Sequence, residues 1–404
     1  MNVLFLTLGK MGDLAQHGIY TDLLRQFIKN QHNVYVVSMH ERREKMNTTL
    51  KELDGAHILQ VKTGNIRECG IIEKGISTLM IGSQYRRAIS RYFNNIKFDL
   101  IMYSTPPISF VSVVNSIKKK NAEISYLILK DIFPQNAVDV GMLSTQGLKG
   151  FIYRYFRSQE KKLYRVSDYI GCMSKANVDY VIEHNPSINP KMVEVCPNSI
   201  DPENKSITEN ERQEMRKKYI LPQDKKILVY GGNLGRPQGI PFLMDCLQAE
   251  KENENIFFLI IGSGTEFAKL DAYINNNALK NARLMKYLPK EDYDRLVAAC
   301  DVGMIFLDHR FTIPNFPSRI LSYMQAKLPV LACTDPNTDI GKVITDGCFG
   351  WWCESNDVQS FSNIVEEITS GSDLQSMGQN SYQYLVENYD VSIAYNRIMS
   401  HLRG

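Results

Sequence analysis

The chain has 404 residues, too many for one ordinary core, and about two or three domains are expected. Hydrophobic residues make up 44% and charged residues 23%, the balance of a soluble globular protein. A formal net charge of +3 argues against a dedicated nucleic-acid binder, because any basic surface on this chain must be local.

The first apolar run, residues 3–8, has neither the basic head nor the long apolar core of a signal peptide, so it predicts a strand. No stretch approaches the roughly 18 apolar residues that span a bilayer. We therefore expect a cytoplasmic protein. Cys172 and Cys333 lie in strand-like runs and no CxxC pair occurs, which favours buried thiols over zinc or disulfides. The histidines form no HExxH motif, and no metal is expected.

In the first half of the chain, short apolar runs alternate with longer amphipathic segments, a pattern typical of βαβ units and a mostly parallel sheet. Strands are predicted at residues 3–8, 34–38, 57–61, 100–103, 125–129, 169–173 and 193–196. The polar stretch from residue 202 to about Lys218 is the best candidate for a linker.

The pattern then restarts, with strands predicted at residues 227–230, 257–261, 283–286, 302–307 and 330–333 and a final helical segment at 379–402. The predicted fold class is α/β, with two doubly wound domains that face each other across a cleft. In such sheets ligands bind beyond the carboxyl ends of the strands. We therefore expect convergence of the loops at residues 9–18, 130–136, 231–238, 262–264 and 315–319.

The run GGNLGRPQG at residues 231–239 follows an apolar strand and precedes a helix. Backbone amides at such a turn form a natural anion site, and Gly232 lies at its centre. Arg236 adds a planar guanidinium that suits a diphosphate. Asn233 and Gln238 complete the candidate set in this loop. The alternative is a tight turn without a ligand.

Two loops of the first half are also candidates. Gly18 ends a long loop at a helix start, where its bare amide could meet a phosphate, although a flexible surface loop is an equal alternative. Lys130 and Asp131 follow the apolar run 126–129, at a strand end of the kind that hosts ligands. Asp131 could instead be a helix N-cap.

The second half adds another glycine turn, with Gly262 directly after the strand at 257–261. Tyr287 and Leu288 end the next strand, where an aromatic ring could face a nucleotide base. A tyrosine buried in the core is at least as good an interpretation.

The loop before the amphipathic run 320–326 contains Asn315, Ser318 and Arg319. Proline at its end and a neighbouring serine suit a helix start with free amides. Arg319 supplies a positive charge. This is the third turn of the second half that suits a phosphate. We therefore favour one ligand shared by the three turns over the alternative that this loop only caps a helix.

Taken together, these motifs resemble the family 4 glycosyltransferases, retaining enzymes of the two-domain GT-B fold. The resemblance is strongest to the fucosamine-transferase-like branch that builds bacterial capsule and O-antigen units. It rests on the runs STPP at 104–107, KDIFPQN at 130–136, PNSID at 197–201, GGNLGRPQG at 231–239 and PSRILSYM at 317–324. These runs follow the family order over nearly the whole chain.

The resemblance implies transfer of a sugar from a nucleotide-diphosphate donor, UDP-linked in expectation, without a metal and with retention at the anomeric carbon. It implies two Rossmann-like domains. Residues 1–200, joined by a final helix at 380–404, would form the acceptor side, and residues 201–379 would bind the nucleotide sugar. If the basic aromatic segments at residues 83–93 and 149–157 lie on a membrane, the acceptor would be a saccharide linked to a polyprenyl diphosphate.

The sequence departs from the family at several contacts. The second carboxylate of the family's Glu-x7-Glu motif falls on Ser322 and the first falls near Pro314. The family's diphosphate-gripping Arg and Lys fall near Asn233 and Gln238, which leaves Arg236 as the substitute. Ser322 would then contact the donor ribose through its hydroxyl.

The remaining roles follow from the charge that develops on the leaving diphosphate, which preorganised donors stabilise. We assign the stabilisation of this charge to Arg236, to the amides of Gly18 and Gly232, and to the turn at residues 318–319. Lys130, which replaces a common family histidine, and Asp131 would position the donor sugar or the acceptor hydroxyl. Asp131 could also act as a general base.

Residues 83–93 and 149–157 mix basic and aromatic side chains at helical spacing. Such segments can lie on an anionic membrane surface, which would make the protein peripheral on the inner face of the membrane. An equal alternative is a solvated basic helix whose aromatics pack inward.

Two other functions stay open. A nucleotide-sugar epimerase can share this fold and needs no acceptor. A non-catalytic GT-B subunit that scaffolds or activates a partner transferase is favoured by the missing carboxylates.

Overall fold

The computed structural model describes residues 1–67, 69–105 and 107–402. Pro106 of the run at 104–107, together with Arg403 and Gly404 of the predicted segment 380–404, lies outside the described residues. The chain divides into two compact units. One consists of Met1–Asp201 with Val391–Gly404, and the other is Pro202–Asp390.

The first unit is built on an eight-stranded sheet in the order β3-β4-β2-β1-β5-β6-β7-β8. All neighbours pair in parallel except β3 with β4. Without β3, the order reverses beside β1 in the doubly wound manner of a Rossmann sheet. Its strands are β1 (Asn2–Leu6), β2 (Asn33–Glu41), β3 (Thr49–Leu53), β4 (Ala56–Thr63), β5 (Phe98–Ser104), β6 (Ala122–Leu129), β7 (Tyr169–Cys172) and β8 (Val193–Val195).

The helices of the first unit cover the sheet and bury its central strands. The side chains of β1 from Val3 to Leu6 are completely buried, which is why this run is apolar without alternation. The helices are α1 (Ile19–Lys29), α2 (Ile71–Tyr92), α3 (Val111–Asn121), α4 (Gln135–Asp139), α5 (Gly147–Val166), α6 (Lys175–His184) and α15 (Val391–Met399).

The second unit has a six-stranded, fully parallel sheet in the order β11-β10-β9-β12-β13-β14. Counted within the unit this order is 3-2-1-4-5-6, the Rossmann order, and it reverses between β9 and β12. The strands are β9 (Lys226–Asn233), β10 (Ile256–Ser263), β11 (Ala282–Met285), β12 (Val302–Phe306), β13 (Val330–Thr334) and β14 (Gly350–Glu354).

The helices of the second unit begin at side-chain caps in several places. Asp357 and Asp373, for example, each accept a backbone N–H of the first turn, which satisfies an otherwise unpaired donor. The helices are α7 (Glu209–Lys218), α8 (Ile240–Ala249), α9 (Phe267–Asn276), α10 (Lys290–Ala298), α11 (Arg319–Gln325), α12 (Ile340–Asp346), α13 (Val358–Ser370) and α14 (Leu374–Asn388).

The two Rossmann-like parallel sheets predicted from the sequence are confirmed, and all twelve predicted strands are present. Two observed strands were missed. All five residues of β3 are exposed, so it lacks an apolar signal. In β14, Trp351 and Cys353 alternate with less buried residues, but the strand begins with glycine and has only this short alternation.

The predicted linker is wrong in its second half, because residues 209–218 form α7. Thr208 and Glu211 form a capping box at its start. Arg216 of this helix is buried and donates to Asp301, with Nη2 2.7 Å from Oδ2, so α7 is anchored to the sheet of the second unit. The polar composition predicts a linker here because most of the helix is charged and its buried residues are only Met215 and Arg216.

The final segment is helical, as predicted, but it forms two helices, α14 and α15, separated near Tyr389 and Asp390. Helix α14 belongs to the second unit and α15 to the first. Tyr395 of α15 packs edge-on against Phe27 of α1, with ring centroids 4.9 Å apart, and its hydroxyl lies 3.0 Å from His32 Nε2.

The thiols of Cys172 and Cys333 are buried and free, as predicted. No helix within the described residues has the length and apolarity required to cross a membrane.

Candidate functional site

The order of the second sheet brings two candidate loops together. The loop after β9 contains Gly232, and the loop after β12 leads into α11 with Arg319 at its first position. These strands flank the point where the strand order reverses, and a crevice for ligands opens at such points. The topology thus joins two of the predicted loops.

The glycine turns after β9 and β10 touch each other through their backbones. Gly262 is in register with Gly232, and a Cβ atom on Gly262 would lie 1.9 Å from the Gly232 carbonyl oxygen. The Leu234 N–H donates to the Ser263 carbonyl at 2.9 Å. Gly232 itself has φ +136°, a conformation that favours glycine. Glycine is therefore required at both positions for the two turns to pack.

Arg319 places its guanidinium against this glycine surface. A Cβ atom on Gly232 would lie 3.4 Å from Nη1 of Arg319, and its Cζ lies 4.5 Å from the ring centroid of Tyr230. Within the described residues Arg319 forms no ion pair, and its Nη1 is buried without a hydrogen-bond partner. The nearby tyrosines keep the pKa of Arg319 above its ordinary value, against the effect of burial. Arg319 is thus a charged guanidinium that has no anionic partner among the described residues.

Three tyrosines hold this guanidinium, and none of them was predicted from the sequence. Tyr323 is completely buried; its hydroxyl accepts the Gly231 N–H at 3.1 Å and donates to the Met304 carbonyl at 3.0 Å. Tyr293 lies beside Gly231, where a Cβ atom would be 1.9 Å from its hydroxyl oxygen, and burial raises its pKa to about 12. Tyr230 directly precedes the glycine pair in the chain, and this position is the signal by which the sequence could have indicated it.

Arg236 stands apart from this cluster. Its side chain is 58% exposed, and its Nε lies 4.0 Å from Glu266 Oε1. Gln238 accepts hydrogen bonds from the Gly235 N–H and from Asn233 Nδ2, both at 3.2 Å. Asn233 and Gln238 therefore close the loop on itself, while Arg236 points to solvent beside an acidic partner.

The loop before α11 and the first turn of that helix hold three further candidates. Ser318 is exposed at the N-cap of α11 and makes no side-chain cap bond. Asn315 accepts from Thr338 Oγ1 through its carbonyl at 2.5 Å, and its Nδ2 is buried without a hydrogen-bond partner among the described residues. Ser322, one turn into α11, is half-buried. Ser318 and Ser322 thus lie close in sequence to Arg319.

Tyr287 follows β11, the edge strand next to β10, and is 76% exposed. The interpretation of Tyr287 as a core residue is therefore wrong. Leu288 beside it is half-buried. An exposed ring at a strand end is available to stack on a planar ligand.

In the first unit, Gly18 lies in extended backbone before α1, and its N–H donates to Asp22 Oδ1 at 3.0 Å. Asp22 is buried and also pairs with Arg25. This bond occupies the amide that we expected to be free for a phosphate.

Lys130 and Asp131 follow β6, and both of their backbone N–H groups donate to Thr105 Oγ1, at 3.1 and 3.3 Å. The Nζ atom of Lys130 lies 3.7 Å from the ring centroid of Tyr20 on α1. Burial lowers the pKa of Lys130 to about 7 and raises the pKa of Asp131. Helix α4 begins at Gln135, so Asp131 is not its N-cap.

The start of α1 and the loops after β5 and β6 thus meet around Lys130. The sequence predicted Lys130 and Asp131 but not Tyr20, which supplies the ring, or the side-chain role of Thr105. Each unit places one cation over a tyrosine ring at the carboxyl ends of its central strands. A cation–π contact of this kind orients the charge without neutralising it.

Solved structures share this architecture over the full chain. The Anabaena protein HepE in complex with UDP is 15% identical, has a TM-score of 0.70 and covers 100% of both chains. Sucrose-phosphate synthase from Thermosynechococcus elongatus is 12% identical, with a TM-score of 0.76 and coverage of 100% of this chain and 98% of that one. At these identities the likeness concerns the fold alone, and that fold is GT-B, as predicted.

Sequence comparison identifies the second unit more closely. Residues 211–384 match the family model described as Glycosyl transferases group 1. A probable glycosyltransferase, WbjE of Pseudomonas aeruginosa, is 24% identical over 279 residues, which cover 69% of this chain and 67% of that protein. The second unit is therefore similar to the group 1 glycosyltransferases over residues 211–384, in a chain of GT-B fold.

Proposed function

We propose that this protein is a retaining glycosyltransferase that transfers a sugar from a nucleotide-diphosphate donor to a lipid-linked saccharide in bacterial surface-polysaccharide assembly. The observation that carries the proposal is the guanidinium of Arg319, which lies against the paired glycine turns and has no ion-pair partner in the part of the chain that the structure describes. An unneutralised cation beside close-packed backbone is suited to a diphosphate, since a planar fork binds phosphate oxygens in pairs. The group 1 match of the same unit supports it.

The donor is proposed to be a UDP-sugar held by the second unit. The similar HepE structures contain UDP, UDP with glucose, and UDP-glucose. The exposed ring of Tyr287 would stack on the base, beside Leu288, and the hydroxyl of Ser322 would contact the ribose. Asn315 and Ser318 would supply polar groups near the phosphates.

The leaving group is proposed to be stabilised mainly by Arg319. Cleavage of the sugar–phosphate bond increases negative charge on the diphosphate, and a preorganised cation in a partly buried site stabilises that charge more than one in water. Arg236 was the sequence-based choice for this role, but it is exposed and lies near Glu266, so its field is screened. Arg236 would then act at the rim of the site.

On the first unit, Lys130 and Asp131 are proposed to position the reacting hydroxyl groups. A lysine whose pKa lies near 7 can donate or accept a proton at neutral pH, as general acid–base catalysis requires. Burial raises the pKa of Asp131, which is adjacent to Lys130 in the chain. Protonation of its carboxyl group is therefore coupled to protonation of the lysine amine. This pair would orient the acceptor hydroxyl and take up its proton.

A non-catalytic scaffold is the second candidate, favoured by one feature. Ser322 stands where the family's ribose-binding carboxylate is expected, and a hydroxyl makes a weaker contact than a charged acceptor. A scaffold of this kind would keep the fold and lose turnover.

Incubation of the purified chain with a panel of nucleotide sugars, with and without lipid-linked saccharide acceptors, tests these functions. Release of nucleoside diphosphate that depends on the acceptor, with the anomeric configuration retained, would support the proposal. Conversion of the donor without acceptor would indicate an epimerase. Neither binding nor turnover of any donor would favour the scaffold.

A further inference from the structure

Three neighbouring helices of the first unit form a strongly basic surface. Helix α2 packs against α3, and α3 packs against α5. Together these helices carry thirteen basic and two acidic residues, a net charge of +11, whereas the whole chain carries +3. The rest of the chain therefore has a net charge of −8. Because the positive charge is concentrated on these three helices, this surface attracts an anionic surface.

Helix α5 adds an exposed apolar ridge to this surface. Leu148 is 86% exposed, Phe151 66%, Ile152 47% and Tyr155 46%. Their spacing of three and four residues places them on one face of the helix. An apolar stripe at this spacing ordinarily faces a core, and here it faces solvent. We call these four residues the α5 ridge.

The other basic aromatic segment predicted from the sequence behaves differently. Tyr85, Ile89 and Phe93 of residues 83–93 are buried, whereas Arg86 and Arg87 are exposed. The inward-packing interpretation is correct for this segment and only partly correct for α5, where Phe151 and Tyr155 are exposed. The segment at residues 83–93 of α2 thus contributes charge to the surface, although α2 also exposes Ile76, Leu79 and Met80 nearer its start. Helix α5 contributes both charge and apolar area.

Two basic grooves run between the helices. One of ≈ 530 Å³ lies between α2 and α3 and is lined by Ser83, Arg86, Arg87, Ser90, Arg91 and Ser116. Another of ≈ 500 Å³ lies between α3 and α5, with Lys119, Lys162 and Arg165 in its lining. Arginine and serine side chains together suit phosphate oxygens, as a lipid headgroup presents them.

The inner face of α5 contacts the loop that holds Lys130. Phe156 packs edge-on against Phe133, with ring centroids 5.0 Å apart, and the Tyr153 hydroxyl donates to Gln135 Oε1 at 3.3 Å. The same helix therefore touches the candidate acceptor loop on one side and exposes its ridge on the other.

We propose that the α2–α3–α5 surface docks on an anionic membrane, with the α5 ridge inserted among the lipids and the basic grooves against their phosphates. The charge complementarity selects this occupant, because a second copy would bring another positive surface against the first. Apolar side chains flanked by Lys and Arg are the pattern of helices that lie in a membrane interface. The docking itself does not depend on the proposed function. Only its role rests on that function, since the contact would bring a lipid-linked acceptor to the Lys130 loop.

Flotation of the purified full chain with vesicles tests this contact. We expect co-flotation with vesicles of phosphatidylglycerol and phosphatidylcholine at low salt and none with phosphatidylcholine alone. Salt at about 1 M, where the Debye length is about 3 Å, should release most of the protein. Replacement of the ridge by Leu148→Ser, Phe151→Ser and Ile152→Ser should lower partitioning about tenfold or more, since each side chain loses apolar burial.

A charge variant, Arg86→Gln with Arg87→Gln and Arg91→Gln, should also lower partitioning about tenfold or more. The control for the charge variant is Lys251→Gln with Lys269→Gln and Lys280→Gln, which removes three exposed charges from the second unit. The control for the ridge variant is Ile220→Ser, at an apolar residue that is 78% exposed. Both controls should float like the unchanged protein.

Failure to float with anionic vesicles at low salt would overturn the proposal. Flotation that neither the ridge variant nor the charge variant reduces would also overturn it. The same holds if sedimentation shows a wild-type dimer and the ridge variant is a monomer. UDP-sugar binding, measured in parallel, reports on the proposed function separately, since no substituted residue belongs to the donor site.

Discussion

The guanidinium carbon of Arg319 lies 4.5 Å from the centroid of the Tyr230 ring, although 89 positions separate the two residues in the chain. Tyr230 ends the buried part of β9 and Arg319 begins α11. Their contact joins the two loops at the point where the strand order reverses. The cation is thereby fixed beside Gly232 before any ligand arrives, which is the preorganisation that electrostatic catalysis requires.

Replacement of Arg319 by alanine should lower kcat/KM for the donor by about 10²-fold, the scale for loss of one electrostatic contact to the leaving group. Arg319→Lys should recover part of this loss, since it keeps the charge but not the planar fork or the ring contact. Arg236→Ala serves as the control and should lose less than about tenfold, because a solvent-exposed charge is screened. Steady-state kinetics of all three variants would contradict the assignment if Arg236→Ala were the most damaging.

Lys130 should make stability depend on pH. In the unfolded chain a lysine keeps its proton up to about pH 10.4, whereas burial lowers the pKa of Lys130 to about 7. Between these values the unfolded state binds more protons, so stability rises with pH. Relative to Lys130→Met, the wild-type protein should therefore gain thermal stability from about pH 7 to pH 9. Melting curves that keep a constant difference over this range would show that Lys130 is not desolvated.

The same substitution should reduce turnover by about 10²-fold or more if Lys130 moves or holds a proton of the acceptor. Donor binding should change little, since Lys130 belongs to the first unit. Calorimetric titration of the donor into Lys130→Met distinguishes the two effects. Lost binding with an intact turnover rate would assign Lys130 to the donor instead.

Gly262→Ala should destabilise the second unit by about 1–3 kcal/mol, the usual cost of overpacking. A Cβ atom there would meet the Gly232 carbonyl oxygen at 1.9 Å, and backbone cannot move aside cheaply. Gly75→Ala is the matched control, because nothing lies within 4 Å of a Cβ at this helical position. It should stabilise the protein by about 0.5–1 kcal/mol. Denaturant unfolding of both variants checks the contrast, and equal effects would refute it.

The buried pair of Arg216 with Asp301 should be required for the second unit. Arg216 is 3% exposed, and Asp301 Oδ2 also accepts the Ile227 N–H at 2.7 Å. Removal of the arginine takes away the buried partner of Asp301, which keeps the partly exposed Arg212 at its other oxygen, so Arg216→Ala should cost about 3 kcal/mol, the lower end of the range for a broken buried pair. Lys218→Ala removes the exposed partner of Asp292 from the same helix and should leave the unfolding midpoint nearly unchanged. A comparable loss in both variants would contradict this reasoning.

Chelation should not abolish activity. The proposed leaving-group charge is met by Arg319, a side chain that EDTA cannot remove. Turnover after EDTA treatment should stay within about twofold of the untreated protein, well below the scale of one lost electrostatic contact. A large loss that Mg²⁺ restores would show that a metal shares this role.

The strands of both sheets could be predicted because burial on two faces makes them short, continuous apolar runs. Strand β3 could not, since its five side chains are all exposed and it pairs only at the sheet edge. The sequence of α7 predicts a linker because its mean hydropathy is low: only Met215 is a buried apolar residue, and the ion pair of Arg216 with Asp301 supplies the rest of its buried contact.

The candidate site was predicted as a set of loops, and the glycine turns at 232 and 262 do meet in the second unit. The sequence could not rank Arg319 above Arg236, because both lie in a predicted loop that follows a strand and both have a proline within two residues. Only the fold shows that Tyr230, Tyr293 and Tyr323 surround one of them, while Glu266 lies near the other. In the same way, the amide of Gly18 is occupied by Asp22, four residues further along.

The central claim is that the second unit binds a nucleotide-diphosphate sugar through Arg319. Calorimetric titration of a panel of nucleotide sugars into the wild-type protein and into Arg319→Gln tests it most directly. We predict saturable binding of at least one UDP-linked sugar, weakened about tenfold or more in the variant. No binding by any nucleotide sugar, or equal affinity in the two proteins, would contradict the claim.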